Sequence, residues 1–310
     1  MKILLYGAGV IGSIYAAKLH EAGCDITLLA RGKRFENLRQ HHVIIRDAVS
    51  GKQTISDVPL TQELAPTDYY DLIIVTVRLD QVGTVIPVLE NNSVCPLIML
   101  MLNNPDGIEH LTKKLEPKHI ILGFPGVGGT CRDNFIEYIQ IKQQKTTVGE
   151  LNGKTSIFMN ELKVVFEGAK LKVIISTDMQ SWLKTHAVFV ACVAAAISKE
   201  NGDIVQLGKK RASVVMMVRA IREGFSACKA LGMPIAPTNL KIIFMIMPLW
   251  FCVLYWQVAL KGKVGTLGIA PHANAAKDEM QLLAKKVMAM VYSSPTPTPI
   301  LDRLLLSFGD

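Results

Sequence analysis

The first twelve residues constrain the chain most. A short apolar run, Lys2 to Tyr6, leads directly into glycines 7, 9 and 12, spaced Gly-x-Gly-x-x-Gly. A run of that length is too short for a buried helix and suits an inner parallel strand. Ser13 to Ala22 then carries apolar residues at helical spacing, so the glycines fall where a strand becomes a helix. Each glycine answers a different physical need. Gly7 permits the sharp turn, Gly9 has no side chain to hold a pyrophosphate off the backbone, and Gly12 lets the helix pack closely on its strand. Unpaired N–H groups at the helix start, around Gly9, Val10 and Ile11, and the positive end of the helix dipole favour an anion there. The motif has this meaning only between a strand and a helix with a second strand to follow. Asp25 to Ala30 (DITLLA) supplies that strand, and a dinucleotide-binding half is expected.

The residues after the second strand decide which dinucleotide. An NAD site carries an acid about 20 residues beyond the motif, to accept from the ribose 2′-OH. This chain has Ala30-Arg31-Gly32-Lys33-Arg34 instead. Cations there suit a 2′-phosphate, with Arg31 the bidentate partner because its guanidinium fork matches phosphate geometry. NADP(H) is the expected cofactor, and Lys33 and Arg34 read as solvated loop charges.

At 310 residues the chain is long enough for two domains and should bury roughly three quarters of its unfolded surface. Half the residues are hydrophobic and 19% are charged, which excludes a disordered chain. The 34 basic against 26 acidic residues give +8. With only 6% aromatics and no stripe of alternating cations and rings, that excess reads as attraction for an anionic cofactor and substrate, not for nucleic acid. Cys24, Cys95, Cys131, Cys192, Cys228 and Cys252 show no C-x-x-C and no histidine at metal-ligand spacing. No metal site is expected, and the cysteines read as reduced thiols of a cytoplasmic protein. The opening residues imitate a secretory signal, but the glycine motif explains them better.

Along the chain, Phe35 to Gln40 reads as a helix and Val43 to Ile55 as a hairpin or an extended edge excursion. Asp71 to Val77, Leu97 to Leu102 and Ile120 to Phe124 read as buried parallel strands, with a helix over Leu79 to Glu90. Ligands of open α/β sheets bind outside the carboxyl ends of the strands, so Arg78 and Asn103 should look toward the cofactor. Pro125 to Gly129 reads as a loop near the reacting carbonyl. Phe135 to Gly149 is β-like, Ser156 to Gly168 helical, and Leu171 to Ile175 a strand. Beyond Thr177 the pattern changes to long helical stretches, 179–199, 209–231 and 273–290, with a short terminal helix at 300–307. The fold class is therefore α/β: a Rossmann-type, doubly wound, mostly parallel sheet over residues 1–176, followed by an all-helical domain over 177–310 for substrate binding or dimerisation. Residues 242–260 carry no charge and match a bilayer in length, but Pro248 interrupts them. A buried or partner-covered helix pair broken at Pro248 is the favoured reading, its Met, Phe, Trp and Tyr suiting an apolar substrate pocket or a subunit contact.

These features resemble the ketopantoate reductase (2-dehydropantoate 2-reductase) family, in a divergent branch. The residues that carry the resemblance are the N-terminal glycine motif, Arg31, Asn103 after the Leu97–Leu102 run, Trp182-Leu183-Lys184 opening the helical part, and local matches at 147–153, 232–239, 272–280 and 299–301. The resemblance implies an NADPH-dependent reductase of a 2-oxo acid, with 2-dehydropantoate to pantoate as the family reaction in pantothenate biosynthesis. It also implies Lys184 as the catalytic lysine, Asn103 as a ligand of nicotinamide ribose and substrate, and a homodimer through the helical domain. The chemistry agrees, because hydride arriving at C2 of a 2-oxo acid leaves an oxyanion that a nearby cationic acid must stabilise and protonate.

Departures from the family pattern are specific. Arg78 stands where the family has Lys, which keeps the charge but alters reach. Val188 and Cys192 occupy the positions four and eight after the lysine where the family places Asn. The family's substrate Ser and catalytic Glu fall in a segment that is here apolar, Cys252 to Leu260, leaving His272, Asp278 and Glu279 as stand-ins, the last two expected to be solvated on a helix start. His186 is expected to be structural. A reductase of a bulkier apolar carbonyl and an NADPH-binding sensor with little catalysis are the alternatives.

Overall fold

The computed structural model describes residues 1–107, 115 and 119–308. The chain divides into two compact units, residues 1–102 with the described part of 108–179, and Asn103–Gly107 with residues 180–308.

Among the described residues, the first unit has twelve strands in two sheets. The larger has the order β12-β11-β8-β7-β6-β1-β2-β5, from β1 (Lys2–Tyr6), β2 (Asp25–Leu29), β5 (Leu60–Thr61), β6 (Leu72–Val75), β7 (Leu97–Met101), β8 (His119–Phe124), β11 (Thr146–Glu150) and β12 (Val173–Ile175). Its pairs are parallel except β11 on β8. Strands β1, β6 and β7 are apolar along almost their whole length, as parallel strands covered on both faces must be. Strand order reverses at β1, which has β2 on one side and β6 on the other, so the glycine loop sits at the topological switch point where such sheets bind ligands. The α-helices among the described residues of this unit are α1 (Val10–Glu21), α2 (Gly32–His41), α3 (Val82–Asn91) and α4 (Ile157–Gly168). The fold class expected from the sequence is the one observed.

The second sheet refines three expectations. β3 (Val43–Asp47) and β4 (Gln53–Ser56) form the antiparallel hairpin, and β10 (Ile136–Gln140) joins it in parallel on β3. Expected as a loop, Pro125 to Gly129 instead runs into β9 (Val127–Cys131), antiparallel to β10. Its glycines answer to packing: a Cβ on Gly126 would stand 2.4 Å from the Thr146 backbone nitrogen, and one on Gly129 2.6 Å from the Glu137 carbonyl oxygen. The β-like passage after Phe135 is also two strands in different sheets, β10 and β11. The core gathers Ile3, Leu5, Ile14, Leu19, Met159, Leu162 and Phe166 around Tyr15. The Tyr15 hydroxyl lies 2.6 Å from Thr146 Oγ1, and its ring meets Phe166 edge-on at 5.7 Å. Burial pushes the Tyr15 phenol up to about 12.

The second unit is helical. It follows α5 (Met179–Lys199) with α6 (Ile204–Lys209), α7 (Arg211–Ala230), α8 (Thr238–Lys241), α9 (Leu249–Lys261), α10 (Ala270–Ala275), α11 (Lys277–Tyr292) and α12 (Pro299–Leu306). Residues 242–260 are broken at Pro248, with a π-type turn before it and α9 after it. At thirteen residues, α9 is about 20 Å long, short of a bilayer core. Among the described residues the helix long and apolar enough to cross a membrane is α5, and most of it is buried inside the protein. Phe244 and Trp256 stack at 5.6 Å and pack with Phe189 and Phe225 into an aromatic core.

Candidate functional site

The glycine loop has the geometry its spacing implies. Gly7 takes φ +117°, a conformation that disfavours any side chain, and its carbonyl accepts from Thr76 Oγ1 at 2.9 Å. A Cβ on Gly12 would lie 1.9 Å from the Gly7 carbonyl oxygen and 2.5 Å from Thr76 Oγ1. Around the corresponding point at Gly9, no described atom comes within 4 Å, so the backbone there is open to a ligand. Gly9 caps α1, and Val10 and Ile11 open its first turn, which holds no acid. Their N–H groups lack intrahelical acceptors by helix geometry and suit an anion. These residues fit a dinucleotide pyrophosphate. Thr76, which braces the loop from just past β6, carried no motif and was not expected.

The cation cluster divides by role. Expected as loop, Gly32 to Arg34 are the first turn of α2, with Arg31 at its N-cap. Arg31 is exposed, donates from Nη2 to the Tyr6 hydroxyl, and lies over the Tyr6 ring at 5.5 Å. The β1 end thus presents its guanidinium. Arg34 is not a solvated charge: Nε donates to the Ala8 carbonyl at 3.0 Å and Nη2 to Ser13 Oγ at 3.2 Å. It therefore fastens the glycine loop to α1 and α2. Lys33 is exposed as expected. Arg78 forms a bidentate pair with Asp80, at 3.1 and 2.8 Å.

In the second unit one short segment collects the chemistry. Asn103 is buried and donates from Nδ2 to Glu279 Oε1 at 3.3 Å. The Asp106 carboxylate pairs with Lys286. A Cβ on Gly107 would stand 3.6 Å from Lys184 Nζ, so that amine lies over the Gly107 backbone. Glu279, expected to be solvated, is 2% exposed, and His272 Nε2 approaches its other oxygen at 3.7 Å. Asp278 is exposed as expected. Asn104 was missed by sequence reasoning: it is 3% exposed, and its Nδ2 has no hydrogen-bond partner among the described residues. A buried donor in that state is suited to a ligand acceptor. The only signal for it was its place beside Asn103.

The family's absent asparagines are explained by packing. Val188 and Cys192 are fully buried, and a Cβ on Gly224 would lie 2.4 Å from Val188 Cγ1, so this face of α5 is closed against α7. His186 is buried too, stacked on Trp182 at 4.7 Å. Burial pushes its pKa down to about 3, so the folded chain holds the ring neutral. Between that value and about 6.5 the unfolded chain binds a proton that the folded one excludes. Stability is therefore expected to fall on acidification below about pH 6.5, by about 1.4 kcal/mol per pH unit from this ring. Thermal melts at descending pH check this, and His186→Phe should flatten the acid side of the profile.

Residues 3–153 match the family model described as ketopantoate reductase PanE/ApbA. An uncharacterized oxidoreductase of Bacillus subtilis, YkpB, is 27% identical over 198 residues, 63% of each chain, so the chain spans less than two thirds of that relative's length. In fold, 2-dehydropantoate 2-reductase from Geobacter metallireducens superposes with a TM-score of 0.79 at 13% identity, covering 100% of this chain and 99% of the other. A D-mandelate dehydrogenase in ternary complex with NADH and anilino(oxo)acetate gives 0.78 at 15% identity, covering 100% and 97%. The glycine-loop unit thus carries a ketopantoate reductase PanE/ApbA domain over residues 3–153, in a chain whose fold over its full length is that of a solved 2-dehydropantoate 2-reductase.

Proposed function

We propose that this chain is an NADPH-dependent reductase of a 2-oxo acid. The observation that carries the chemistry is the Asn103–Gly107 segment, which gathers Glu279, Lys286 and Lys184 around itself. Bound NADPH supplies a hydride to the carbonyl carbon. Lys184 holds a proton for the oxygen, where negative charge develops. Glu279, by accepting from Asn103, fixes that amide's orientation, and the Asn104 Nδ2 hydrogens are available to an acceptor of the substrate. Since Asp106 already neutralises Lys286, Lys184 is assigned the proton.

2-Dehydropantoate is the first substrate to test. The likeness in fold to a D-mandelate dehydrogenase makes aryl 2-oxo acids the second class. NADPH absorbance followed across a panel of both tests the reading, and it fails if no 2-oxo acid is reduced and titration of NADPH gives no binding heat. The preference for NADPH over NADH rests on Arg31. Arg31→Ala should weaken NADPH binding about 10- to 100-fold, the worth of one charge-assisted hydrogen-bonded pair, and leave NADH binding unchanged. Dissociation constants for both nucleotides check this, and equal losses for the two would remove Arg31 from the 2′-phosphate.

A further inference from the structure

The strand order that sets β6 beside β1 brings a second guanidinium to the glycine loop. The chain leaves β6 against that loop: Thr76 Oγ1 donates to the Gly7 carbonyl at 2.9 Å, and Val77 Cγ1 lies 3.2 Å from where a Cβ on Gly7 would stand. Arg78 is the next residue. β6 and β2 flank β1 on opposite sides, so Arg78 and Arg31 follow the two strands that border the loop. Their partners differ. Arg31 donates to the Tyr6 hydroxyl and the Gln62 carbonyl, both neutral, whereas Arg78 gives Nε and Nη2 to the Asp80 carboxylate. The turn that carries Asp80 is fastened to keep it there. Leu79–Gln81 form one 3₁₀ turn, in which Gln81 N donates to the Arg78 carbonyl at 3.0 Å and Arg78 N to Gln81 Oε1 at 3.4 Å. Thr84 Oγ1 donates to the Gln81 carbonyl at 2.8 Å and ties the turn to α3. The pair therefore forms without ordering a loose segment. An acid in a first helical turn also suits the dipole, but that role needs only its charge, not two bonds to one guanidinium.

We infer that Asp80 is a positioning residue that tempers nucleotide affinity: it holds the Arg78 guanidinium beside the phosphate site and cancels its charge. A free guanidinium there would draw a phosphate by its charge and by its planar fork together. With one edge of the fork given to a carboxylate, the pair offers the nucleotide hydrogen-bond donors without a net charge. The consequence is kinetic. A cofactor that must leave after every turnover is served by a grip that is not too tight, and affinity differences between related complexes lie mostly in the release rate. Arg31 then supplies the uncompensated charge that selects the nucleotide, and Arg78 a contact that lets it go. This inference rests on the NADPH reading above and adds to it a limit on how firmly the nucleotide is held.

Asp80→Asn in the full chain tests it, because the amide keeps an acceptor for Arg78 while the charge goes. Calorimetric titration at low salt should give an NADPH dissociation constant about 3- to 10-fold below wild type, the scale of one charge removed near a phosphate. Stopped-flow displacement of bound NADPH should show release slowed by the same factor. At about 0.5 M salt the two proteins should converge, since separated charges are then screened. Arg78→Gln should weaken NADPH binding. NADH titrated in parallel locates the contact: a gain shared by both nucleotides places it at the pyrophosphate, and a gain for NADPH alone at the 2′-phosphate. Affinity in Asp80→Asn equal to or below that of wild type overturns the inference, as does a gain that persists undiminished at high salt. A wild-type chain that binds neither nucleotide would overturn the NADPH reading as well, a result distinct from normal wild-type binding with Asp80→Asn unmoved.

Discussion

Lys184→Ala is expected to lower kcat by about 10²- to 10⁴-fold, the range for removing a positioned general acid, with the NADPH dissociation constant unchanged. The side chain approaches Gly107, in the second unit, and the glycine loop, Arg31 and Thr76 lie in the first. Cofactor affinity and turnover should therefore separate cleanly. If the amine acts on charge that exists only in the transition state, kcat and kcat/KM fall together while substrate KM moves little. Lys184→Arg sharpens the test, since it keeps a cation at the site but holds its proton far more tightly. A kcat in Lys184→Arg as low as that of Lys184→Ala, despite the retained charge, would mark proton transfer as the lost function. Wild-type kcat in Lys184→Ala would remove the lysine from the mechanism.

Gly12→Ala should damage the first unit directly. The new methyl would sit 1.9 Å from the Gly7 carbonyl oxygen and 2.5 Å from Thr76 Oγ1, and the nearer of these is backbone that no rotamer change can move aside. Overpacking of this kind costs about 1–3 kcal/mol, a fall in Tm of roughly 2–12 °C for a domain of this size. NADPH binding should weaken with it, because α1 must shift away from β1. Gly9→Ala provides the contrast: with open space at that Cβ, the fold should keep its Tm while NADPH affinity falls, the methyl occupying the pyrophosphate's approach. Melting curves and NADPH titrations on both variants check the pair. Equal Tm for wild type and Gly12→Ala would mean that α1 tolerates the displacement.

What could be read from the sequence was what local patterns encode. Strands β1, β6 and β7 are short uninterrupted apolar runs, and the glycine spacing names its own turn, so sheet, loop and helix were all legible. β9 was hidden because Gly126 and Gly129, normally a loop signal, are there to admit neighbouring backbone. Arg34 read as a surface charge because its acceptors, Ala8 and Ser13, lie more than twenty residues away. Glu279 was misjudged for a related reason. At the start of an amphipathic helix an acid is ordinarily solvated, and its burial depends on Asn103, 176 residues earlier. Nothing local in Asn103–Gly107 announces that the segment gathers side chains from the helical unit.

The guanidinium of Arg34, threaded between Ala8 and Ser13, has a consequence for how the nucleotide is captured. A turn already clamped by its own chain has little freedom left to surrender when a phosphate arrives, so the entropy of ordering it is spent during folding and not at encounter. Capture at such a turn favours fast, lock-like docking over slow moulding of the loop around its guest.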